Sequence, residues 1–305
     1  LGEKTTSFRQ WTATNKAHFD SGGFDVDLSY WLELSDTLSL NDSTFALPAN
    51  FSRGHITEIK GTEIKGTAIN HISIKNCVAQ EKKVVVALDP QLTQSLLREV
   101  NSAYNTDIND ILLTALMQTL SRWTGFSQAL INLEGHGRET DTRDLDSKGI
   151  DLSRTVGWFT SLYPVGISLP VSDKGEQASL EAQIKSIKEQ LRRVPNHGFG
   201  FGMHRLWNQD AAVQNKLAVL SKVEVAFNYL GQFDSIKENS SLFSLTTADR
   251  GGDQASTTKR MHGLDINGHI LEGQLQLEWT FSNERFNVQS IETVASRYIT
   301  LLTEI

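Results

Sequence analysis

Ionisable residues crowd one short stretch, Ile131-Asn132-Leu133-Glu134-Gly135-His136-Gly137-Arg138-Glu139. Glu134, His136, Arg138 and Glu139 fall within six positions of one another. Ile131 and Leu133 alternate with Asn132 and Glu134, the period of a half-buried strand. Gly135 and Gly137 then bracket the histidine, and glycine lets a backbone turn sharply and come close to another object. Ionisable groups at a strand end suit proton transfer, because a rigid element aims them. The same residues also read as a polar loop closed by an internal Arg–Glu pair, and the stretch by itself leaves both readings open. His136 has no second ligand at a metal-like spacing, and a Gly-His-Gly turn is more often structural than metal-binding. No Ser-His-Asp order, phosphate loop or zinc spacing occurs elsewhere, so no metal site is expected.

Three further stretches are dense in aromatic or glycine residues. Asp151 to Val165 is rich in β-branched and aromatic side chains and reads as a strand with an irregular start; a plain aromatic core strand accounts for it equally well. Pro195-Asn196-His197-Gly198-Phe199-Gly200-Phe201-Gly202 carries glycines at alternate positions after a helix. That is not the strand, G-x-G-x-x-G, helix order of a dinucleotide loop, and it reads as a flexible aromatic loop that moves or packs against a partner. Val223, Val225, Phe227 and Tyr229 alternate with polar or small residues and predict a strand running into Leu230-Gly231-Gln232-Phe233-Asp234.

The elements that must position these groups are mixed. Thr5, Thr6 or Ser7 can cap a helix from Phe8, and Tyr30 to Leu34 suits a short helix. Residues 36–54 are polar, with Asn41-Asp42-Ser43 as a turn signal. Glu58-Ile59-Lys60-Gly61-Thr62 is repeated at once as Glu63-Ile64-Lys65-Gly66-Thr67, too short for a solenoid and readable as a duplication in a surface loop. Val84 to Leu88 is a continuous apolar run fit for a buried strand. Asp89-Pro90 then reads as a helix cap followed by proline at the first helical position. A helix starting near Thr106 or Asp107 is apolar almost all round up to Gly125, so it lies in the middle of a domain. Residues 177–194 form an amphipathic helix with Leu180, Ile184, Ile187, Leu191 and Val194 on one face. Residues 247–260 read as a mobile loop, Leu275 to Phe281 as a half-buried strand, and Asn287 as the cap of a last helix.

With 305 residues the chain suits one large domain or two medium ones. The net charge of −7 argues against nucleic acid or an anionic membrane as the main partner. No run of 18 apolar residues and no signal-peptide pattern occurs. A single cysteine, Cys77, excludes an internal disulfide and suits a reducing compartment, so a cytoplasmic location is expected. The chain starts at Leu1 and not at Met, which is expected of a piece of something longer or of a processed product.

In their order and spacing, Leu133 to Glu139, Arg154-Thr155-Val156-Gly157-Trp158-Phe159-Thr160, Pro195 to Gly202 and Phe227-Asn228-Tyr229-Leu230-Gly231-Gln232-Phe233 resemble the signature motifs of epimerization domains of nonribosomal peptide synthetases. Asn105 to Leu113 and Thr5-Thr6-Ser7-Phe8 fit the same family, and the resemblance runs from Leu1 to Ile305. The Glu-Gly-His-Gly-Arg-Glu form separates it from condensation-domain relatives.

The resemblance implies an α/β (α+β) fold of the chloramphenicol-acetyltransferase type. It has two lobes with a substrate tunnel between them. Residues 1–90 would be the end of an incomplete N-terminal lobe and residues 91–305 the C-terminal lobe. The family's H-H-x-x-x-D motif would lie upstream, since none of the eight histidines here belongs to an H-H pair. A peptidyl carrier protein would bring the substrate thioester on its 4′-phosphopantetheine arm, beside neighbouring synthetase domains, and the chain itself would hold no cofactor. The activity implied is inversion of the α-carbon of the thioester-bound residue.

Glu134 would be the base, made stronger by burial between lobes, and Tyr229 a donor to the enolate oxygen or a proton relay, although it reads equally well as a core tyrosine with a satisfied hydroxyl. Trp158, Thr160 and Asn228 would contact substrate. Gly135, His136, Arg138, Glu139 and Arg154 would support the site, with Arg154 paired to Asp151 or to one of the loop's own charges. Two alternatives belong to the same fold: a condensation-type acyltransferase, which the intact glutamate motif disfavours, and a catalytically silent lobe that recruits partners.

Overall fold

Helix ends fall where the sequence places capping side chains. In the computed structural model, which describes residues 4–40, 47, 76–138, 149–171, 177–233 and 251–305, Ser7 accepts from the Gln10 amide and opens α1 (Phe8–Asp20). Asp89 accepts from the Gln91 and Leu92 amides ahead of Pro90 and opens α3 (Pro90–Ser95). A π-helical turn (Leu96–Val100) joins it to α4 (Asn101–Tyr104). The Asp107 amide donates to the Asp110 carboxylate at 2.9 Å at the start of α5 (Ile108–Thr124), which ends at Gly125 with φ 81°. Asn287 caps the last helix, α9 (Val288–Glu304), by accepting from the Gln289 amide at 2.9 Å. Replacing Asn287 with Ala is expected to lower stability by about 1 kcal/mol, because the first turn loses a satisfied amide. Urea unfolding checks this, and an unchanged midpoint would show that water caps the helix equally well.

The chain divides into two compact units, one of residues 1–45 with 128–223 and the other of residues 46–127 with 224–305. This differs from the expected cut at residue 90. The reason is strand pairing: β1 (Glu81–Ala87) runs antiparallel to β6 (Gln274–Ser282), with Val84 opposite Trp279.

In the first unit, β2 (Gln128–Gly135) pairs antiparallel with β3 (Ser161–Ser168). Around this hairpin lie α1, α2 (Asp25–Leu40), α6 (Leu180–Arg192), α7 (Phe199–Trp207) and α8 (Ala211–Leu220). Helix α2 packs on α7 and α8, and the Ser35 hydroxyl donates to the Lys216 carbonyl at 3.1 Å. Trp11, Phe24, Phe159 and Phe199 form an aromatic core with Ile150 and Leu152.

The second unit is built on a sheet in which β1 pairs with β6, β6 with β5 (Leu264–Leu271), and β5 in parallel with β4 (Val225–Gln232). Glu272 (φ 54°) and Gly273 (φ 73°) make the two-residue hairpin turn between β5 and β6, the left-handed pair such turns require. Helix α5 is buried from Asp110 to Leu120 and packs on α9, whose Tyr298 hydroxyl donates to the Leu112 carbonyl at 3.1 Å. Trp279 and Phe281 are fully buried beneath them.

Several expectations are corrected. Val84 to Leu88 is not a strand buried on both faces: Val85 is 59 % exposed and only alternate side chains reach the core. Residues 195–202 are not a loop but a short turn followed by α7. Gly200 sits inside that helix because a Cβ there would overlap the Asp27 carboxylate. The described end of the stretch read as a mobile loop, residues 251–260, is anchored. Lys259 bridges to Cys77, and the buried Arg260 pairs with Glu81 and Asp265 and donates to the Thr280 carbonyl at 2.8 Å. The short helix expected at Tyr30 is α2, 16 residues long. The duplicated Glu-Ile-Lys-Gly-Thr and the Asn41-Asp42-Ser43 turn lie outside the described residues.

Candidate functional site

Glu134 stands at the second-last position of β2, opposite Leu162 of β3. The strand is buried on both faces from Ala129 to Leu133, Asn132 included, and becomes exposed at Glu134. The half-buried alternation expected for Asn132 is therefore absent, and so is burial of Glu134 within its own unit. Desolvation of that carboxylate is not supplied by the residues around it here.

The turn after Glu134 is held rigidly. Gly135 lies so close to β3 and to the 195–198 turn that a Cβ would come 2.9 Å from Ser161 Oγ and 3.4 Å from the His197 carbonyl. Gly137 has φ 68°, and a Cβ there would overlap the Phe159 carbonyl. His136 is exposed, and its Nδ1 accepts from the Arg138 amide at 3.1 Å, which requires that nitrogen to carry no proton. Arg138 donates from Nη1 to the Leu152 carbonyl at 2.7 Å and from Nη2 to the Thr155 carbonyl at 3.0 Å. Its guanidinium lies 4.1 Å from the Phe159 ring centroid. Glu139 lies outside the described residues.

The loop that Arg138 grips, residues 151–160, is irregular throughout, and β3 starts only at Ser161. Its base is sewn to the chain before α1. The Thr6 amide donates to the Asp151 carbonyl at 2.8 Å, and the Asp151 amide donates to Thr6 Oγ1 at 3.0 Å. The Asp151 carboxyl is held below its ordinary value first by the Ser153 amide at 2.9 Å, then by the Ser153 hydroxyl, with the charge of exposed Arg154 adding to both. Phe159 is buried, with its ring 4.9 Å from that of Trp11 and 5.1 Å from that of Phe8. Its neighbour Trp158 is 82 % exposed, and Thr160 is exposed too. The reading of this stretch as a plain core strand fails at Trp158. An open cleft of about 780 Å³ runs along Arg138 and residues 150–157; Glu134 is not among its walls.

Asn228 and Tyr229 belong to the second unit. On β4 they pair with Asn267 and Gly268 of β5, just before the strand slips register towards Gly231, φ 88°. The Tyr229 ring packs over Gly268, where a Cβ would lie 3.6 Å from the ring. Burial pushes the Tyr229 phenol above its ordinary value, so it stays protonated, and able to donate, at neutral pH.

A buried pair in the first unit, Asp27 with Asn196, is not announced by the sequence. Asp27 of α2 is only 2 % exposed, and its carboxylate accepts twice from Asn196 Nδ2, at 2.8 and 3.0 Å. Asp27 reads in the sequence as an ordinary acidic residue of a first helical turn, and nothing in its type announces burial. Asn196 could have been suspected from its place before a His-Gly pair, since asparagine tolerates the left-handed region.

Residues 2–305 match the family model described as Condensation domain. The chain belongs to the condensation-domain family. It is 36 % identical over 306 residues to one of the linear gramicidin synthase proteins of Brevibacillus parabrevis, covering 100 % of this chain and 4 % of that protein. It is 32 % identical to gramicidin S synthase 1 of Brevibacillus brevis, covering 98 % of this chain and 25 % of that protein. The family members it matches are thus far longer than the chain. Among solved structures, the epimerization domain from the third module of tyrocidine synthetase B superposes with a TM-score of 0.79 at 30 % identity, over 100 % of this chain and 60 % of that one. The condensation domain of the Monacolin K polyketide synthase MokA shares the fold, with a TM-score of 0.62 at 17 % identity over 100 % of this chain and 62 % of that one. The fold is the chloramphenicol-acetyltransferase-like α/β fold of condensation-family domains. No helix among the described residues is long and apolar enough to cross a membrane.

Proposed function

We propose that this condensation-family domain inverts the α-carbon of an aminoacyl or peptidyl thioester from L to D during nonribosomal peptide synthesis. The observation that carries this is Glu134, a carboxylate set at the end of a strand and followed by a turn that Gly135, Gly137 and Arg138 hold in one conformation. The 30 % identity to an epimerization domain across the whole chain supports the same reading.

Inversion breaks the Cα–H bond, sends its electron pair into the thioester carbonyl as an enolate, and returns a proton to the opposite face. Glu134 accepts the α-proton. Tyr229 is assigned the donor to the enolate oxygen, a role its protonated phenol suits. Arg138 and Gly137 fix the segment that carries the base, and Gly135, His136, Glu139 and Arg154 are assigned to the same support. Trp158, Thr160 and Asn228 are assigned to substrate contact. The substrate is brought by a peptidyl carrier protein on its 4′-phosphopantetheine arm, with neighbouring synthetase domains supplying and consuming it; the chain itself is assigned no cofactor.

One observation favours a second reading, a partner-recruiting lobe without chemistry of its own: the Glu134 carboxylate is exposed rather than desolvated. A single assay separates the two. A carrier in the intact synthetase is loaded with an L-aminoacyl group, the thioester is cleaved, and the released acid is resolved on a chiral column. Appearance of the D acid supports epimerization. Pure L acid supports the recruiting lobe, and pure L acid joined to a second residue supports a condensation activity.

A further inference from the structure

The turn before α7 places two successive residues that carry a Cβ in the left-handed region. Asn196 has φ 46° and ψ 39°, and His197 has φ 49° and ψ 35°. Both are left-handed, a region uncommon for residues with a Cβ; asparagine and histidine tolerate it better than most, and two such residues in succession need support from their surroundings. Gly198 comes next at φ 79°, pressed so closely on the Tyr163 ring that a Cβ would overlap it.

Besides Tyr163, the surroundings that hold it include α2. Asp27, buried beneath the turn, binds this segment through the one side-chain amide of Asn196. Gly200 clears the space this carboxylate occupies. Burial pushes the Asp27 carboxyl above its ordinary value, while the Asn196 amide and then the nearby His204 and His18 pull it down. Burying a carboxylate against a neutral amide is an expensive device for stability alone. On the far side of the turn, the His197 carbonyl faces Gly135 at the spot where a Cβ would be 3.4 Å away, next to Glu134.

We propose that Asp27 is a positioning residue: through Asn196 it locks the left-handed turn whose His197 carbonyl buttresses Gly135, and so fixes the backbone that aims Glu134. This rests on the reading of Glu134 as the base. Asp27 touches no reacting atom. A buttress displaced by a fraction of an ångström changes the reach of the carboxylate, and turnover is more sensitive to such displacement than substrate binding is.

The test uses the intact synthetase. Asp27→Asn keeps the shape and one acceptor oxygen, but replaces the other oxygen to which Asn196 Nδ2 donates with an NH2 group, setting donor against donor. It is expected to lower kcat for formation of the D residue by roughly ten- to a hundredfold with KM unchanged. The exchanged pair Asp27→Asn with Asn196→Asp restores a donor facing a carboxylate, and is expected to recover most of the loss. If Asp27→Asn does not fold, Asn196→Ala carries the kinetic test with the same expectation. Hydrogen exchange followed by mass spectrometry gives a readout independent of turnover: segments holding Gly198 and Gly135 should exchange faster in Asp27→Asn. Wild-type kcat in a folded single variant, failure of the exchanged pair to restore it, or unchanged exchange at Gly135 would each overturn the proposal. If instead Glu134→Gln retains full activity, the assignment of the base fails, and faster exchange at Gly135 still reports the tether.

Discussion

Replacing Glu134 with Gln is expected to slow formation of the D residue by about 10²–10⁴-fold, the usual loss when a general base is removed. Glutamine keeps the shape and the hydrogen-bonding capacity of the side chain but cannot take the α-proton. The fold should survive, because Glu134 is exposed at the end of β2 and glutamine has nearly the same size and hydrogen-bonding capacity. The loss grows if the base and its proton-returning partner work as a unit, since removing either then disables both. Rates of D-acid formation by the two proteins check this, with urea midpoints as the control for folding. An undiminished rate in a folded Glu134→Gln protein would reduce the glutamate to a structural part of the turn.

Gly137→Ala is expected to cost about 2–5 kcal/mol, combining the left-handed conformation with steric overlap. The residue has φ 68°, and the new methyl group would meet the Phe159 carbonyl, which is main chain and cannot rotate away. Phe159 is itself wedged among Phe8 and Trp11 and covered by the Arg138 guanidinium, so the loop has little room to retreat. The damage therefore spreads from the turn to the aromatic core of the first unit. Denaturation midpoints measure it. A change below about 0.5 kcal/mol would show that residues 157–160 yield freely and that the turn is not locked.

The legible part of the sequence was mostly local. Ser7, Asp89-Pro90, Gly125 and Asn287 mark helix ends because capping needs only neighbours in the chain. The apolar girth of α5 placed it in the interior for the same kind of reason. Features that depend on distant partners were not legible. A β-branched run does not say which of its faces is covered, so Val84 to Leu88 looked fully buried when Val85 is on the surface. β5 is not evident in the sequence because Asn267-Gly268 has the composition of a turn, whereas both residues pair in register with β4 and β6. Helix α7 was hidden by Gly200, a poor helix former retained to make room for Asp27. Around the proposed site, the strand ending at Glu134 and the glycine turn after it could be read from type and spacing. The exposure of Trp158 and the burial of Asp27 could not, because both are set by packing between segments far apart in sequence.

The fate of the α-hydrogen tests the central claim most directly. A carrier in the intact synthetase is loaded with an L-aminoacyl group bearing deuterium at the α-carbon, in ordinary water, and the released acid is analysed for both mass and chirality. Inversion through an enolate predicts loss of the deuterium together with appearance of the D acid, both severely slowed in Glu134→Gln. Deuterium fully retained in acid that remains L, with the wild-type protein folded and the carrier loaded, would contradict it.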